Sequence, residues 1–321
     1  MADLVKNNTY SIACGIDNNY VEHLVTMLNS LFLNNTSLIF HIYVLSFDLS
    51  KENKGNIASW VTKNANEITF IDVKKDLFQN FPIFDEGYIS PATYLRLFIP
   101  SLLPQHIDKV LYLDSDIIVN TNIDELLNTD ISTNTLAAVE DAPNNSVILQ
   151  DKKQLYFNAG VLLLNLRELR KSDFLNDAVN FIQKNHAELF FHDQDVLNAL
   201  LGNHAKIVPI KWNMLDCFYS KPPKILPKYL QDYKSTDKKN CIIHFSGKIK
   251  PWHIASLHPL TNFYFKYKPK INIEKLKKND KWQHFDELPR YQKLFIHLHL
   301  PRWMQRILDR QICWIWRKLK I

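Results

Sequence analysis

The stretch Val110-Leu-Tyr-Leu-Asp-Ser-Asp-Ile-Ile-Val119 places an apolar run, two carboxylates at i and i+2, and a second apolar run in immediate succession. A buried strand ending in Asp114-Ser115-Asp116 delivers both acids to the strand's carboxyl end, where an open α/β sheet exposes its ligand crevice. On an extended chain, residues i and i+2 face the same way. Asp114 and Asp116 can therefore share one hard divalent cation, which prefers oxygen ligands and bridges protein carboxylates to phosphate. A polar turn between two strands is the other reading of the same residues.

Working outward, the chain alternates strand and helix. Ser11 to Gly15 is a short apolar run closed by Asp17-Asn18-Asn19, and Val21 to Leu33 carries Leu24, Leu28 and Leu31 at helical spacing. Strands are expected at Leu38 to Leu45 and Ile68 to Val73 around a helix from Lys51 to Lys63. Further strands are expected at Lys109 to Leu113, Leu136 to Glu140, Phe157 to Asn165, Ala205 to Ile210 and Cys241 to Phe245. Helices are expected around Pro91 to Pro100, Ser172 to Asn185 and Gln194 to Leu201. This order predicts an α/β fold with a mostly parallel sheet flanked by helices. Between Leu260 and Leu288 the sequence turns to Lys, Asn and aromatic residues. It reads there as a connector, so that residues 1–262 form the main domain and 263–321 a connector and tail.

The 321 residues suffice for a sizeable core, and 46% hydrophobic with 22% charged residues is ordinary globular composition, which excludes disordered and fibrous classes. The six glycines form neither G-x-G-x-x-G nor a P-loop string, so a nucleotide must be held another way. Cys14, Cys217, Cys241 and Cys313 have no C-x-x-C spacing and read as isolated thiols suited to a reducing cytoplasm. No secretory signal and no bilayer-spanning apolar run is expected.

The net charge of +6 is unevenly spread. Residues 288–321 hold eight Lys/Arg against Asp309 alone, whereas the first 287 residues are near neutral. In the tail Arg302, Arg306, Arg310 and Arg317 fall on one helical stripe, Met304, Ile307, Leu308, Ile315 and Leu319 on another, with Trp303, Trp314 and Trp316 added. A basic, apolar and tryptophan-bearing helix predicts that residues 289–321 lie on an anionic membrane surface. Docking on the chain's own main domain or on a second subunit is the alternative. Nucleic acid is not an expected partner, because the basic residues are confined to the tail.

A second chemical string is Ile242-Ile-His-Phe-Ser-Gly-Lys-Ile-Lys-Pro-Trp-His253. His244 ends an apolar strand and can complete a metal site. Gly247 would let the backbone approach a phosphate, and Lys250 would offset its charge. A loop with a buried histidine is the alternative, and Trp252 and His253 read as packing or lid residues.

Six ordered motifs, Ala13-Cys-Gly-Ile-Asp-Asn-Asn-Tyr20, Ser90-Pro-Ala-Thr-Tyr-Leu-Arg96, Leu111-Tyr-Leu-Asp-Ser-Asp116, Phe157-Asn-Ala-Gly-Val-Leu-Leu-Leu-Asn165, Asp193-Gln-Asp-Val-Leu-Asn198 and His244-Phe-Ser-Gly-Lys-Ile-Lys-Pro-Trp252, make residues 10 to 260 resemble the bacterial retaining glycosyltransferases of family 8. That family includes lipopolysaccharide and lipooligosaccharide α-galactosyl- and α-glucosyltransferases. The resemblance implies an A-type glycosyltransferase fold that binds a UDP-sugar. It assigns Gly15, Asp17, Asn19 and Tyr20 to uridine, and adds Ile89, Arg96, Ser115, Gly247 and Lys250 to the donor contacts. Asp114, Asp116 and His244 become metal ligands, with Mn2+ the expected ion and Mg2+ the alternative. Asp141 and Asn158 fall near the donor sugar and acceptor, and Asp193 with Gln194 beneath the anomeric carbon as the catalytic pair. Asp195 reads as a helix cap, and nothing functional is assigned to His192.

The implied reaction moves galactose or glucose from a UDP-sugar to a saccharide hydroxyl with the α configuration kept. A carboxamide is a poor nucleophile, so same-face attack is favoured, with Asp193 and Gln194 positioning the sugar. The expected acceptor is lipid-linked, a lipopolysaccharide or lipooligosaccharide core, met at the inner face of the bacterial cytoplasmic membrane. Transfer to a protein-linked glycan, a metal-dependent nucleotidyltransferase and a non-catalytic uridine nucleotide-binding module are the rival readings.

Overall fold

A computed structural model describes residues 9–78, 81, 91–141, 155–274, 281 and 284–319. The strands are β1 (Thr9–Gly15), β2 (Ile39–Ser46), β3 (Glu67–Asp72), β4 (Lys109–Leu113), β5 (Ile117–Val119), β6 (Leu136–Glu140), β7 (Phe157–Asn165), β8 (Ala205–Ile207), β9 (Met214–Leu215) and β10 (Ile242–His244). Seven of them form one sheet in the order β3-β2-β1-β4-β7-β6-β8. Its β3-β2-β1-β4 half is parallel, while β7 runs antiparallel to both β4 and β6. Strands β5, β10 and β9 make a second, small sheet.

The sheet is covered on both faces, which is why its central strands are continuous apolar runs and lack polar alternation. All nine residues of β7 are buried. The period of two still sorts their side chains: Ile12, Leu111 and Leu113 enter one apolar layer, and Ala13, Val110 and Tyr112 enter the other. Helix α1 (Val21–Asn34) packs on the first layer with Leu24, Leu28 and Leu31 fully buried, each worth about 2 kcal/mol of apolar transfer. Helix α2 (Lys51–Lys63) begins where Ser50 accepts the Asn53 amide hydrogen. Helices α3 (Phe174–Asn185) and α4 (Asp193–Leu201) contribute Phe174, Ile182 and Val196 to the second layer.

Several expectations are corrected. The helix expected over Pro91 to Pro100 is a 3-10 helix over Pro91–Phe98 followed by one α turn, Ile99–Leu102. Strand β8 stops at Ile207, and Pro209, which has no amide hydrogen to offer a ladder, precedes a 3-10 turn at Ile210–Trp212. The division expected after residue 262 falls inside helix α5 (Thr261–Tyr267). Its Tyr264 and Tyr267 are buried with α1, where the Tyr264 hydroxyl meets His23 Nδ1 at 2.7 Å and Asn29 donates to the Tyr267 carbonyl at 2.7 Å. Aromatic residues that read as a connector therefore close the core.

The tail folds into α6 (Arg290–His297) and α7 (Arg302–Leu319). Asp309 joins them by accepting from the Tyr291 hydroxyl and the Gln292 amide. Ile296 packs with Ala255 and Leu288. Arg302 donates to the Pro251 and His253 carbonyls, both at 3.2 Å, and Arg306 to the His258 carbonyl at 3.3 Å. These two arginines thus face the chain's own domain, the alternative orientation, while Trp303 and Ile307 are exposed. The side chains of Trp314, Ile315, Trp316, Arg317 and Leu319 lie outside the described residues.

Candidate active site

The Asp114-Ser115-Asp116 turn is where the chain leaves one sheet for the other. Strand β4 ends at Leu113 in the large sheet and β5 begins at Ile117 in the small one. Antiparallel pairing of β5 with β10 sets His244 opposite Ile117, one residue from Asp116. This register, formed across more than a hundred residues of sequence, brings the three expected ligands together. Their ligand atoms lie within 4.8 Å of one another, with His244 Nε2 at 3.3 Å from Asp116 Oδ1 and 3.9 Å from Asp114 Oδ2.

Two observations fit a divalent cation here. Asp116 Oδ1 is buried and accepts no hydrogen bond. The ring orientation of His244 is fixed by a chain of amides: the Gly160 amide hydrogen is donated to Asn158 Oδ1 (3.0 Å), Asn213 Nδ2 donates to the same oxygen (2.8 Å), and Asn213 Oδ1 faces His244 Nδ1 (2.9 Å). His244 must then carry its proton on Nδ1, which leaves the Nε2 lone pair directed at the two carboxylates. Two carboxylates and one imidazole suit a Mn-like ion. Gly160 is a steric necessity, since a Cβ there would stand 2.3 Å from His244 Cε1 and 2.9 Å from Asp114 Oδ2.

Burial by itself would raise the Asp116 carboxyl, but the Lys250 ammonium holds it well below the usual carboxylate range. Lys250 Nζ donates to Asp116 Oδ2 at 2.6 Å and to the Phe245 carbonyl at 2.7 Å. Burial opposes the charge on Lys250, and Asp116 more than restores it. Gly247 serves a contact the sequence does not suggest. Its amide hydrogen is donated to Asp216 Oδ2 at 3.0 Å, and a Cβ at 247 would lie 2.4 Å from that oxygen. The glycine thus admits the Asp216 carboxylate beside its own backbone.

Beside the carboxylates, Arg96 is buried and bridges two acids: one guanidinium nitrogen lies 2.9 Å from Asp114 Oδ1 and Nε lies 2.8 Å from Asp193 Oδ2. Asp193 Oδ1 accepts from the Thr93 hydroxyl. Burial pushes the Asp193 carboxyl up to about 6, against the lowering effect of Arg96. Gln194 is oriented without ambiguity, because its Oε1 accepts from the Ala159 amide (3.0 Å) and from Asn158 (3.1 Å), so its NH2 is the group that donates to Asp141 Oδ2 (3.0 Å). Asp195 holds the entry to α4, accepting from the Phe191 amide at 2.6 Å and the Tyr156 hydroxyl at 2.7 Å.

On the other flank, Asp17 Oδ1 accepts the Asn19 and Tyr20 amides at 2.9 and 3.2 Å and so caps the turn that presents the Tyr20 ring. Tyr20 is backed edge-on by Trp252, which stacks on His23 with ring centroids 3.4 Å apart. A cavity of about 570 Å³ joins these groups. Of the expected site residues, Asn19 does not line it and Ile89 lies outside the described residues; all the others line it. Asn213, Asp216 and Tyr112 were missed. Tyr112 donates to Asp114 Oδ1 at 2.7 Å and sits one strand repeat before it, a spacing that could have been read. Asn213 and Asp216 reach the site through β9, too short to signal itself in sequence.

The profile of glycosyl transferase family 8 matches residues 11–256. General stress protein A of Bacillus subtilis is 29% identical over 272 residues, covering 82% of this chain and 94% of its own length. The lipopolysaccharide 1,2-glucosyltransferase of Escherichia coli K12 is 26% identical over 332 residues, 99% of this chain and 94% of the relative. Among solved structures, the galactosyltransferase LgtC in complex with donor and acceptor sugar analogues superposes with a TM-score of 0.73 at 26% identity, over 85% of this chain and 99% of LgtC. The mixed sheet, the two strand ends that converge on Asp114, Asp116 and His244, and the match over residues 11–256 lead to one conclusion: the chain belongs to glycosyl transferase family 8.

Proposed function

We propose that the protein is a retaining hexosyltransferase that moves glucose or galactose from a UDP-sugar to a saccharide hydroxyl, forming an α-glycosidic bond with a divalent cation, Mn2+, in the Asp114-Asp116-His244 site. The observation that carries this reading is the joining, in one cavity, of that trio with the Arg96-Asp193-Gln194 cluster. The donor hexose is drawn from the relatives, one of which is named a glucosyltransferase and one a galactosyltransferase.

When bound, the cation supplies Lewis-acid stabilisation to the departing diphosphate. Lys250, kept protonated by Asp116, adds a fixed positive charge at the same edge. Tyr20 offers a flat face to the uracil, and Asp17 shapes the turn behind it. Asp193 Oδ1 accepts from the Thr93 hydroxyl, Oδ2 is held only by its ion pair with Arg96, 2.8 Å away, and the Gln194 carbonyl is held by two donors. A carboxylate tied in an ion pair and a carboxamide held by two donors support same-face attack. The acceptor hydroxyl then forms the new bond on the face the diphosphate leaves, and its proton passes to a diphosphate oxygen. Asp193 and Gln194 position the sugar, and the Gln194 NH2 with Asp141 reads its hydroxyls.

The acceptor in this reading is a lipid-linked glycan of the lipopolysaccharide core class, and residues 289–321 hold the enzyme against the anionic inner leaflet. Exposed Leu294, Leu298, Trp303 and Ile307 on the tail support a surface-bound state. No helix among the described residues is long and apolar enough to cross a membrane. Incubation of the purified protein with a panel of nucleotide sugars and Mn2+ tests the donor assignment. Hydrolysis of UDP-glucose or UDP-galactose is expected, and consumption of a nucleoside triphosphate in their place would reject it.

A further inference from the structure

A second cavity of about 560 Å³ lies between α5 and α7, away from the donor site, and is lined by Lys239, Phe263, Phe265, Arg302, Trp303 and Arg306 among others, none of them acidic. Arg302 and Arg306 are half-buried neighbours one helical turn apart. Among the described residues, no carboxylate pairs with either of them or with Lys239. Their contacts are the backbone carbonyls of Pro251, His253 and His258, and Arg302 lies over the Phe265 ring at 5.3 Å. Burial and then Arg306 push the Arg302 guanidinium below the ordinary arginine range, so two like charges share this wall without an opposite charge to offset them. Desolvated, uncompensated guanidinium groups in a concave site are what a phosphate oxygen satisfies, through parallel N–H donors and a compact negative charge.

The surroundings select the source of that phosphate. Trp303 is 55% exposed and Ile307 45% exposed, and both sit on the helix that carries the two arginines; Phe265, on the facing helix, is 48% exposed. An apolar, aromatic rim around a cationic cavity matches the boundary between a headgroup and its acyl chains. We propose that this cavity binds the phosphodiester headgroup of an anionic phospholipid, so that the tail helix and the catalytic domain grip one lipid between them. The proposal rests on the surface-bound reading of the tail and goes beyond it, because it recruits Lys239, which lies outside residues 289–321.

The test is flotation of the full chain with phosphatidylcholine vesicles containing phosphatidylglycerol at physiological salt, compared with its Lys239→Gln, Arg306→Gln and Arg290→Gln variants. Lys239 is exposed and makes no described side-chain contact, and Arg290 is a tail cation outside the cavity. Loss of one diffuse surface cation costs about fivefold in vesicle affinity. Lys239→Gln and Arg306→Gln should each lose roughly tenfold or more, Arg290→Gln no more than about fivefold, and Arg306→Lys should recover most of the binding. Equal losses in all three glutamine variants, or none in Lys239→Gln, would overturn the cavity while leaving a diffusely attracted tail intact. Failure of the unaltered chain to float would overturn both. Inorganic phosphate alone, titrated calorimetrically, gives the remaining comparison: binding as tight as to vesicles, with the same dependence on Lys239, would replace the lipid by a free anion.

Discussion

His244 Nδ1 donates to Asn213 Oδ1 across 2.9 Å, and this one bond decides which nitrogen of the ring faces Asp114 and Asp116. The bond is itself set by the Gly160 amide through Asn158, so the backbone of β7 dictates the tautomer of a residue on β10. Replacing Asn213 by Leu removes the acceptor and frees the ring to turn. Mn2+ affinity, read from activation curves, should weaken by about 10–100-fold, and Asn213→Asp should retain more of it. Unchanged Mn2+ affinity in Asn213→Leu would separate the asparagine from the metal site.

Gly160→Ala places a methyl group where His244 and Asp114 now stand. The variant should keep its far-ultraviolet circular dichroism and lose Mn2+-dependent transfer by at least about tenfold, because the ligands must part to admit the Cβ. Wild-type activity at limiting Mn2+ would contradict that geometry.

Asp193 behaves oppositely toward stability and turnover. Its folded carboxyl titrates at about 6, above the usual 3.8, because it is buried. The native state therefore holds a proton that the unfolded chain releases between about pH 4 and 6, and stability falls as pH rises through that window. Asp193→Asn should accordingly melt no lower than wild type at pH 8, with a smaller change between pH 5 and pH 8, while its turnover drops. A clearly lower melting temperature at pH 8 would mean that the Arg96 ion pair outweighs the burial penalty.

Asp17 and Gln194 occupy opposite flanks of the cavity, and their variants should separate kinetically. Asp17→Ala loosens the turn that carries Tyr20 and should weaken UDP binding severalfold with little change in kcat. Gln194→Ala should lower kcat strongly while KM for the UDP-sugar stays close to that of wild type. The reverse pattern would exchange the two roles.

Much of this was legible in the sequence where local physics governs. Lys109–Leu113, Leu136–Glu140 and Phe157–Asn165 were readable to the residue because strands buried on both faces are continuous apolar runs bounded by polar groups. Lys51–Lys63 was equally clear, its bounds agreeing with the helix found. What escaped depends on pairing across long separations. The reversed direction of β7, the transfer of β10 to a second sheet beside β5, and the delivery of Asn213 by a two-residue strand have no periodic trace. Tyr264 and Tyr267 read as linker aromatics because a seven-residue helix is too short to display a stripe. Arg302 and Arg306 read as a solvent-facing stripe, since nothing local reveals the carbonyls of Pro251, His253 and His258 that receive them.

The account turns on transfer with the anomeric configuration kept, from a UDP-hexose and through the Asp114-Asp116-His244 site. The most direct measurement is proton NMR of the product formed from UDP-galactose or UDP-glucose and a saccharide acceptor with Mn2+, repeated after EDTA and with Asp116→Asn. The predicted result is an α-linked product whose formation stops with EDTA, returns with added Mn2+, and is largely lost in the variant. A β-linked product, or an α-linked one formed at full rate in EDTA and by Asp116→Asn, would contradict it.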